Sequence, residues 1–305
     1  MTPMLSNSGN NADLPPHDWP GRAISRMIPT ATHLWHTQVH GQGPDDLLLL
    51  HGAGGSLHSW SRVVPHFTDR YRVITVDLPG HGFTRGPRGR SSLADMAHDI
   101  VALMHQEGWH PRVLIGHSAG AAITLEIARQ APDQIDRVVA INAALENFQG
   151  LAGWAFPLMA KMLSINPFMG ILVSWAPSSH ARARGILHAT GARLDDDAIE
   201  LYARLLQRRS HVEGTLAMMA QWSLDMLTAA LPSIETPTLF IHGENDVAVP
   251  IGVVVRAANN MPNAHVIRLL GVGHLAQEET PDRVVQEIRA FIPTSPDKNT
   301  RKNTG

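Results

Sequence analysis

Three residues far apart in the chain have the types and order that acyl-transfer chemistry needs. The stretch VLIGHSAGA, residues 113–121, is an apolar run that closes on Ser118 between Gly116 and Gly120. A serine hydroxyl is a poor nucleophile. It needs a base, and the base needs a third group to orient it. The strand-like run TPTLFIHGEN leads into Asp246, and the strand-like run HVIRLL leads into GVGHLAQEE, which carries His274. Serine, then acid, then histidine, each just past a strand end, is the order that accompanies a nucleophile elbow, G-x-S-x-G turning from strand into helix. Bulky residues at Gly116 or Gly120 would clash in so sharp a turn. Glu244 lies close enough to Asp246 to be a rival acid, and Glu146 follows an earlier strand-like run. Taken singly, the serine fits a tight turn, His274 a surface imidazole and Asp246 a helix cap; the three in this order carry the reading. A developing oxyanion needs backbone N–H donors. Ala119 supplies one. HGAGGS, directly after the run DDLLLL, supplies the other through Ala53, with Gly54 as the alternative.

These residues need a frame that brings strand ends to one edge. DDLLLLHG, RVITVDLPG, RVLIGHS, DRVVAINAAL, TPTLFIHGEN and HVIRLLGVG are short apolar runs bounded by turn residues. Such runs suit parallel strands buried on both faces. THLWHTQVHG reads as an antiparallel edge strand of a hairpin. SSLADMAHDIVALMHQEG has helical spacing, with Ser92 as N-cap, Asp95 in the first turn and Gly108 as the stop. AGAAITLEIARQAPDQ and TPDRVVQEIRAFI read likewise, the latter with Thr280 as cap and Pro281 at the first helical position. Alternating strands and helices predict an α/β fold with a mostly parallel central sheet flanked by helices. In such sheets sites form at the carboxyl ends of the strands. Residues 146–231 break the rhythm: no buried-strand pattern, many Met and Trp, and too long for a loop. They are expected to form an inserted helical cap on a core of residues 17–145 and 232–292, with tails at 1–16 and 293–305.

The composition narrows the function classes. At 305 residues the chain can bury a large core. A formal charge of −2 gives no pull toward nucleic acid. The eighteen histidines suggest a charge that rises steeply as pH falls. Absence of cysteine rules out disulfide and thiolate chemistry and agrees with a cytoplasmic protein. The N-terminal segment has neither a basic nor an apolar stretch of the kind that secretory signals carry. No G-x-x-x-x-G-K-[ST] or H-E-x-x-H occurs, so neither a nucleotide nor a metal cofactor is expected. GVGHLA imitates a dinucleotide fingerprint but stands too near the chain end for the rest of that fold.

HGAGG, DLPGHGFT, GHSAG, HGENDVAVP and GVGHLAQEE together resemble the α/β-hydrolase superfamily over residues 33–292. Thr84 stands where many relatives carry serine, and a serine rather than an aspartate at position 118 speaks against a haloalkane dehalogenase. The opening DWPGRAISRMI, with LWH, GHSAGAAI and GHLAQEE, resembles one branch in particular. That branch is the magnesium-chelatase accessory proteins of bacteriochlorophyll biosynthesis. The resemblance implies an α/β-hydrolase fold and a role around magnesium insertion into protoporphyrin, with magnesium chelatase subunits as partners.

Trp154, Phe156, Trp175 and Trp222 offer flat apolar contact for a small-molecule substrate such as a tetrapyrrole, and each fits the cap's own core equally well. Arg182, Arg184, Arg193, Arg204, Arg208 and Arg209 are candidates for pairing with propionates, or for solvated faces. LAGWAFPLMAKMLSINPFMGILVSWAP is apolar enough for peripheral membrane contact, while Lys161 and two prolines argue against spanning. Three functions follow: an ester hydrolase acting on or near a tetrapyrrole, a non-catalytic tetrapyrrole-binding or delivery protein, and a C–C bond hydrolase using the same three residues.

Overall fold

The computed structural model describes residues 14–87, 89–147 and 179–292. Its strands are β1 (Ser25–Pro29), β2 (Leu34–His40), β3 (Asp45–Leu50), β4 (Tyr71–Val76), β5 (Pro111–His117), β6 (Arg137–Ile141), β7 (Thr238–Gly243) and β8 (Ala264–Leu269). They form one sheet in the order β1-β2-β4-β3-β5-β6-β7-β8. Strands β4, β3, β5, β6, β7 and β8 run parallel. Strands β1 and β2 pair antiparallel with each other, and β2 pairs antiparallel with β4.

The four leucines of β3 show why this sheet needs layers on both sides. Successive side chains of a strand point to opposite faces. Leu48 and Leu50 enter one core cluster and Leu47 and Leu49 the other, all fully buried. The first cluster is closed by α1 (Leu93–Glu107), α2 (Ala119–Gln130) and α7 (Ile251–Asn259). The second is closed by α9 (Pro281–Phe291) and by a 3-10 turn at Leu57–Trp60. Between β6 and β7 the described residues form α3 (Ser179–Ala189), α4 (Asp196–Leu206), α5 (Arg209–Gln221) and α6 (Asp225–Ala230), and a short α8 (Ala276–Glu279) precedes α9.

Several sequence readings change. Strand β2 is not the edge: β1 lies outside it. SRMIP gives no buried-run signal because only Ile28 of this strand is buried. Pro15 and Pro16, assigned to the tail by composition, are fixed, since the Arg22 Nε–H donates to the Pro15 carbonyl at 2.6 Å and Trp19 N–H to that of Pro16 at 2.9 Å. Trp19 is itself buried against Phe83 and Leu205. Residues 1–13 and 293–305 lie outside the described residues. Trp154, Phe156 and Trp175, and the apolar segment that holds them, lie outside as well. Trp222 is half-buried and packs against the first core cluster with Met218 and Leu224. Among the described residues no helix is long and apolar enough to cross a membrane.

Three of the six candidate arginines meet protein carboxylates. Arg204 pairs with Asp18 at 2.8 Å, Arg209 with Glu213 at 2.7 Å, and Arg184 with Asp196. The histidines do not titrate as a set either. Burial, the leading cause in each case, lowers the pKa of His40, His51, His58, His81, His117, His211 and His242. Charge therefore rises with acid less steeply than the histidine count suggests.

The two expected caps differ. Ser92 Oγ accepts from the Asp95 N–H at 3.2 Å, and Gly108 ends α1 in the left-handed region at φ 63°. Thr280 occupies the cap position of α9 without a capping bond, because its hydroxyl donates back to the Ala276 carbonyl at 3.3 Å. Ser92→Ala is therefore expected to lower stability by about 1 kcal/mol in urea unfolding. Thr280→Ala, which removes no cap, should shift it by less than ~0.5 kcal/mol.

Candidate active site

Strand β5 ends at His117 and α2 begins at Ala119, so Ser118 alone makes the turn. Its backbone sits at φ 51° and ψ −115°, outside the regions open to most L-residues. The turn is possible because strand and helix approach closely. A Cβ on Gly116 would run into the Gly120 carbonyl, and a Cβ on Gly120 into the Leu50 and His51 carbonyls. Neighbouring backbone also pins Ser118. Its N–H donates to the Ile141 carbonyl at 2.9 Å, and its own carbonyl accepts from Ala121 at 3.1 Å and Ala144 at 3.2 Å.

The structure brings the three expected side chains together. Ser118 Oγ lies 3.1 Å from His274 Nε2, and His274 Nδ1 lies 2.8 Å from Asp246 Oδ2. The Asp246 carboxylate is wholly buried. Its Oδ1 accepts from the Ala248 N–H at 2.8 Å and the Val249 N–H at 2.9 Å. Burial pushes its pKa up, but the His274 bond and charge and the further hydrogen bonds outweigh this, so the group stays below the usual carboxylate range. The rival acids sit elsewhere. Glu244 is exposed and accepts from the Gly271 N–H at 3.3 Å, and Glu146 faces Arg256 at 3.4 Å.

Residues that sequence reasoning missed hold this arrangement. Asn142 Nδ2–H donates to Asp246 Oδ2 at 2.6 Å from a backbone at φ 46°, the other non-glycine residue in the left-handed region among the described residues. The loop bearing His274 is clamped by Glu279, which accepts the Gly273 N–H at 3.1 Å and the Leu275 N–H at 3.2 Å. His117 Nε2–H donates to the His274 carbonyl at 2.8 Å, and burial drives the His117 pKa to about 3, which keeps the ring neutral for that role. Asn142 could have been suspected as a polar residue ending an apolar run. Nothing in the sequence marks Glu279 apart from its neighbour Glu278.

Of the two expected N–H donors, Ala119 adjoins Ser118 and Ala53 lies in a loop that touches it. Ala119 opens α2, where the first N–H groups have no intrahelical acceptor. The HGAGGS loop touches the elbow, since a Cβ on Gly52 would fall 2.9 Å from the Ser118 Cβ. The Gly52 carbonyl is bonded to His51 Nδ1–H at 2.8 Å and to the Gly55 N–H at 3.1 Å. A trans peptide points its N–H opposite to its C=O. The Ala53 N–H is thus turned away from His51, and among the described residues it has no acceptor. The arrangement can move a proton from a serine to an imidazole, with the Ala119 N–H next to that serine.

Glu278, one residue before Glu279, is buried and hydrogen-bonded through Oε1 to the Tyr202 hydroxyl at 2.6 Å. Burial raises its pKa to about 8. A raised folded-state value means the folded chain retains a proton that the unfolded chain releases above pH ~4.3. Its stabilisation is complete below that pH and is lost as pH climbs to about 8. Glu278→Gln removes the linkage, so chemical unfolding measured from pH 5 to 8 should show the wild-type protein losing stability relative to the variant.

A family model described as alpha/beta hydrolase fold matches residues 46–281. The chain is 42% identical over 271 residues to the "Magnesium-chelatase 30 kDa subunit" of Rhodobacter capsulatus, covering 88% of this chain and 94% of that protein. It is 24% identical to the "Karrikin insensitive 2 receptor CA" of Petunia hybrida, over 84% of this chain and 97% of the receptor. Among solved structures, a thermophilic esterase from Thermogutta terrifontis superposes with a TM-score of 0.69 at 21% identity, covering 88% of this chain and 97% of that one.

Proposed function

The chain belongs to the α/β-hydrolase fold family, and on that footing we propose that it is a serine hydrolase acting on an ester, with Ser118, His274 and Asp246 as its catalytic triad. The hydrogen-bonded run from Ser118 Oγ through His274 to the buried Asp246 carboxylate is the observation that carries this reading. In the reaction Ser118 Oγ attacks the acyl carbon while His274 Nε2 takes its proton. Asp246 stays ionised, fixes the Nδ1–H tautomer and stabilises the imidazolium. The carbonyl oxygen becomes an oxyanion held by the Ala53 and Ala119 N–H groups, each such donor typically worth about 10²–10³ in rate. Collapse returns the proton to the leaving alkoxide. A water, deprotonated by His274, then hydrolyses the acyl-serine and restores the site.

The relative from Rhodobacter capsulatus carries magnesium chelatase in its name, and this supports an ester on or near a tetrapyrrole as the substrate, with the chelatase as partner. The same likeness favours a second reading, in which the fold binds and delivers a tetrapyrrole without chemistry. A family relative named as a receptor makes that reading concrete.

A fluorophosphonate probe separates the two. Under the hydrolase reading, peptide mass spectrometry should find one adduct, on Ser118, absent from Ser118→Ala. The same substitution, and Asp246→Asn, should lower kcat for a p-nitrophenyl ester by at least about 10³. Absence of both labelling and turnover, with a saturable Soret shift on titration with Mg-protoporphyrin, would give the binding reading instead.

A further inference from the structure

The loop that presents the Ala53 N–H is held from two sides. His51, at its own start, grips the Gly52 carbonyl. The second grip comes from far along the chain. His211 lies on α5 between β6 and β7, and its Nε2 stands 3.2 Å from the Gly54 carbonyl. Its other ring nitrogen, Nδ1, stands 3.0 Å from the Gly82 N–H. An N–H can only donate, so Nδ1 is the acceptor and carries no proton. Nε2 therefore carries the proton and donates to Gly54. The ring is 2% exposed, and burial, together with the neighbouring His81 and His51, holds it neutral. This pair of bonds admits one tautomer and one ring orientation.

The rest of α5 shows that the contact is built. Residues 208, 211, 215 and 218 share one helix face at i, i+3, i+7 and i+10. On that face the Arg208 guanidinium lies 4.0 Å from the Phe83 ring centroid and Met218 is buried. Thr215 reaches the loop, its Cγ2 3.8 Å from where a Gly54 Cβ would lie. One turn on from His211, Gly214 meets Gly80 backbone to backbone, and a Cβ at Gly214 would collide with the Gly80 carbonyl.

The peptide geometry then runs from His211 to the oxyanion donor. The Gly54–Gly55 peptide is fixed at both ends, its carbonyl by His211 and its N–H by the Gly52 carbonyl at 3.1 Å. The Gly52 carbonyl belongs to the peptide whose N–H is that of Ala53, and planarity makes one direction set the other. Gly54 itself sits at φ 75°, where glycine has wide freedom and the loop would otherwise be loose.

We propose that His211 is a positioning residue for the oxyanion hole: a histidine of the β6–β7 helices that fixes the direction of the Ala53 N–H by holding the Gly54 carbonyl. This rests on the serine hydrolase reading. Removal of His211 leaves Ser118, His274 and Asp246 in place but lets the donor swing, so the loss falls on the tetrahedral species rather than on the bound ester.

Two substitutions divide the two bonds. His211→Gln places an amide N–H at the reach of Nε2 and keeps donation to Gly54. His211→Asn places an oxygen at the level of Nδ1 and keeps only acceptance from Gly82. With the full-length protein and p-nitrophenyl butyrate, His211→Ala and His211→Asn should lose between about tenfold and a hundredfold in kcat with KM within about twofold. Their affinity for a trifluoromethyl ketone, which forms a tetrahedral adduct, should fall by the same factor. His211→Gln should recover most of both. Thermal melts accompany each variant, and the comparison is drawn between the Gln and Asn forms at matched Tm. Equal kcat in these two forms, or a loss confined to KM, would overturn the proposal while leaving the hydrolase reading intact. A wild-type protein that neither labels nor turns over the ester would end both.

Discussion

The Ser118 backbone, at φ 51° in a non-glycine residue, costs on the order of 1–3 kcal/mol and persists only where its surroundings over-determine it. Here they do. Every residue from Ala119 to Ala128 is buried, so α2 cannot slide or tilt to relax the turn. Beneath it the close contacts at Gly116 and Gly120 lock helix to strand, and β6 accepts the Ser118 N–H. The strain has a geometric product. It lifts Oγ out of the sheet toward His274 and turns the first N–H groups of α2 into the same space. A relaxed turn would carry the hydroxyl out of reach of the imidazole and would separate it from the Ala119 donor.

Holding the partners of Ser118 falls largely to neutral histidines. His117 donates to the His274 carbonyl, His51 to the Gly52 carbonyl and His211 to the Gly54 carbonyl. In a dry interior a neutral imidazole is well suited to this work. It offers one donor and one acceptor in a fixed plane, and it carries no charge whose burial must be offset. Asp77 is the exception, a fully buried carboxylate that His36 and the N–H groups of Leu57 and Phe83 keep ionised, its pKa near 2 despite burial. It opens DLPGHGFT and ties that loop to Leu57, directly after HGAGGS, and His211 bonds to both loops. Thr84 keeps the hydroxyl that serine would offer there, accepting the His36 N–H at 2.9 Å.

What the sequence made legible was set by periodicity and by local turn chemistry. Five of the six apolar runs became parallel strands whose burial on both faces leaves an unbroken apolar signature, whereas the sixth, β8, is an edge strand with only Leu269 buried and was legible from its apolar residues alone. The elbow was readable because its glycines are demanded by backbone contact. Asp246 and His274 were readable through chain order and through their places just past strand ends, and the three side chains do converge. Strand β1 was not legible, since in SRMIP the apolar pair Met27 and Ile28 stands among Ser25, Arg26 and Pro29 and makes no run. Asn142 showed only as a polar residue ending an apolar run, and Glu279 and His211 were invisible for another reason. Each acts across a distance in sequence or through backbone groups, and neither composition nor spacing records which carbonyl a side chain will meet. The histidine count misled in the same way, because titration depends on burial that only the fold reveals.

The same long-range bonds bear on how the helices between β6 and β7 relate to the sheet. Besides His211, the Tyr202 hydroxyl of α4 is bonded to the buried Glu278 beside the His274 loop, and Asp195 at the start of α4 pairs with Arg62. Arg204 of α4 meets Asp18 while its guanidinium lies 5.2 Å from the Trp19 ring centroid, so the N-terminal segment straps the same helix from outside. Swinging α4 and α5 away would break the Tyr202–Glu278 and His211–Gly54 hydrogen bonds, at roughly 0.5–1.5 kcal/mol net for each. It would also uncover Trp19 and Leu205. Helices α4 and α5 are therefore bonded into the frame around Ser118, α4 through Tyr202 and Glu278 and α5 through His211 and the Gly54 carbonyl. On the proposal made for His211, a change at α5 would reach the Ala53 N–H through linked peptide planes.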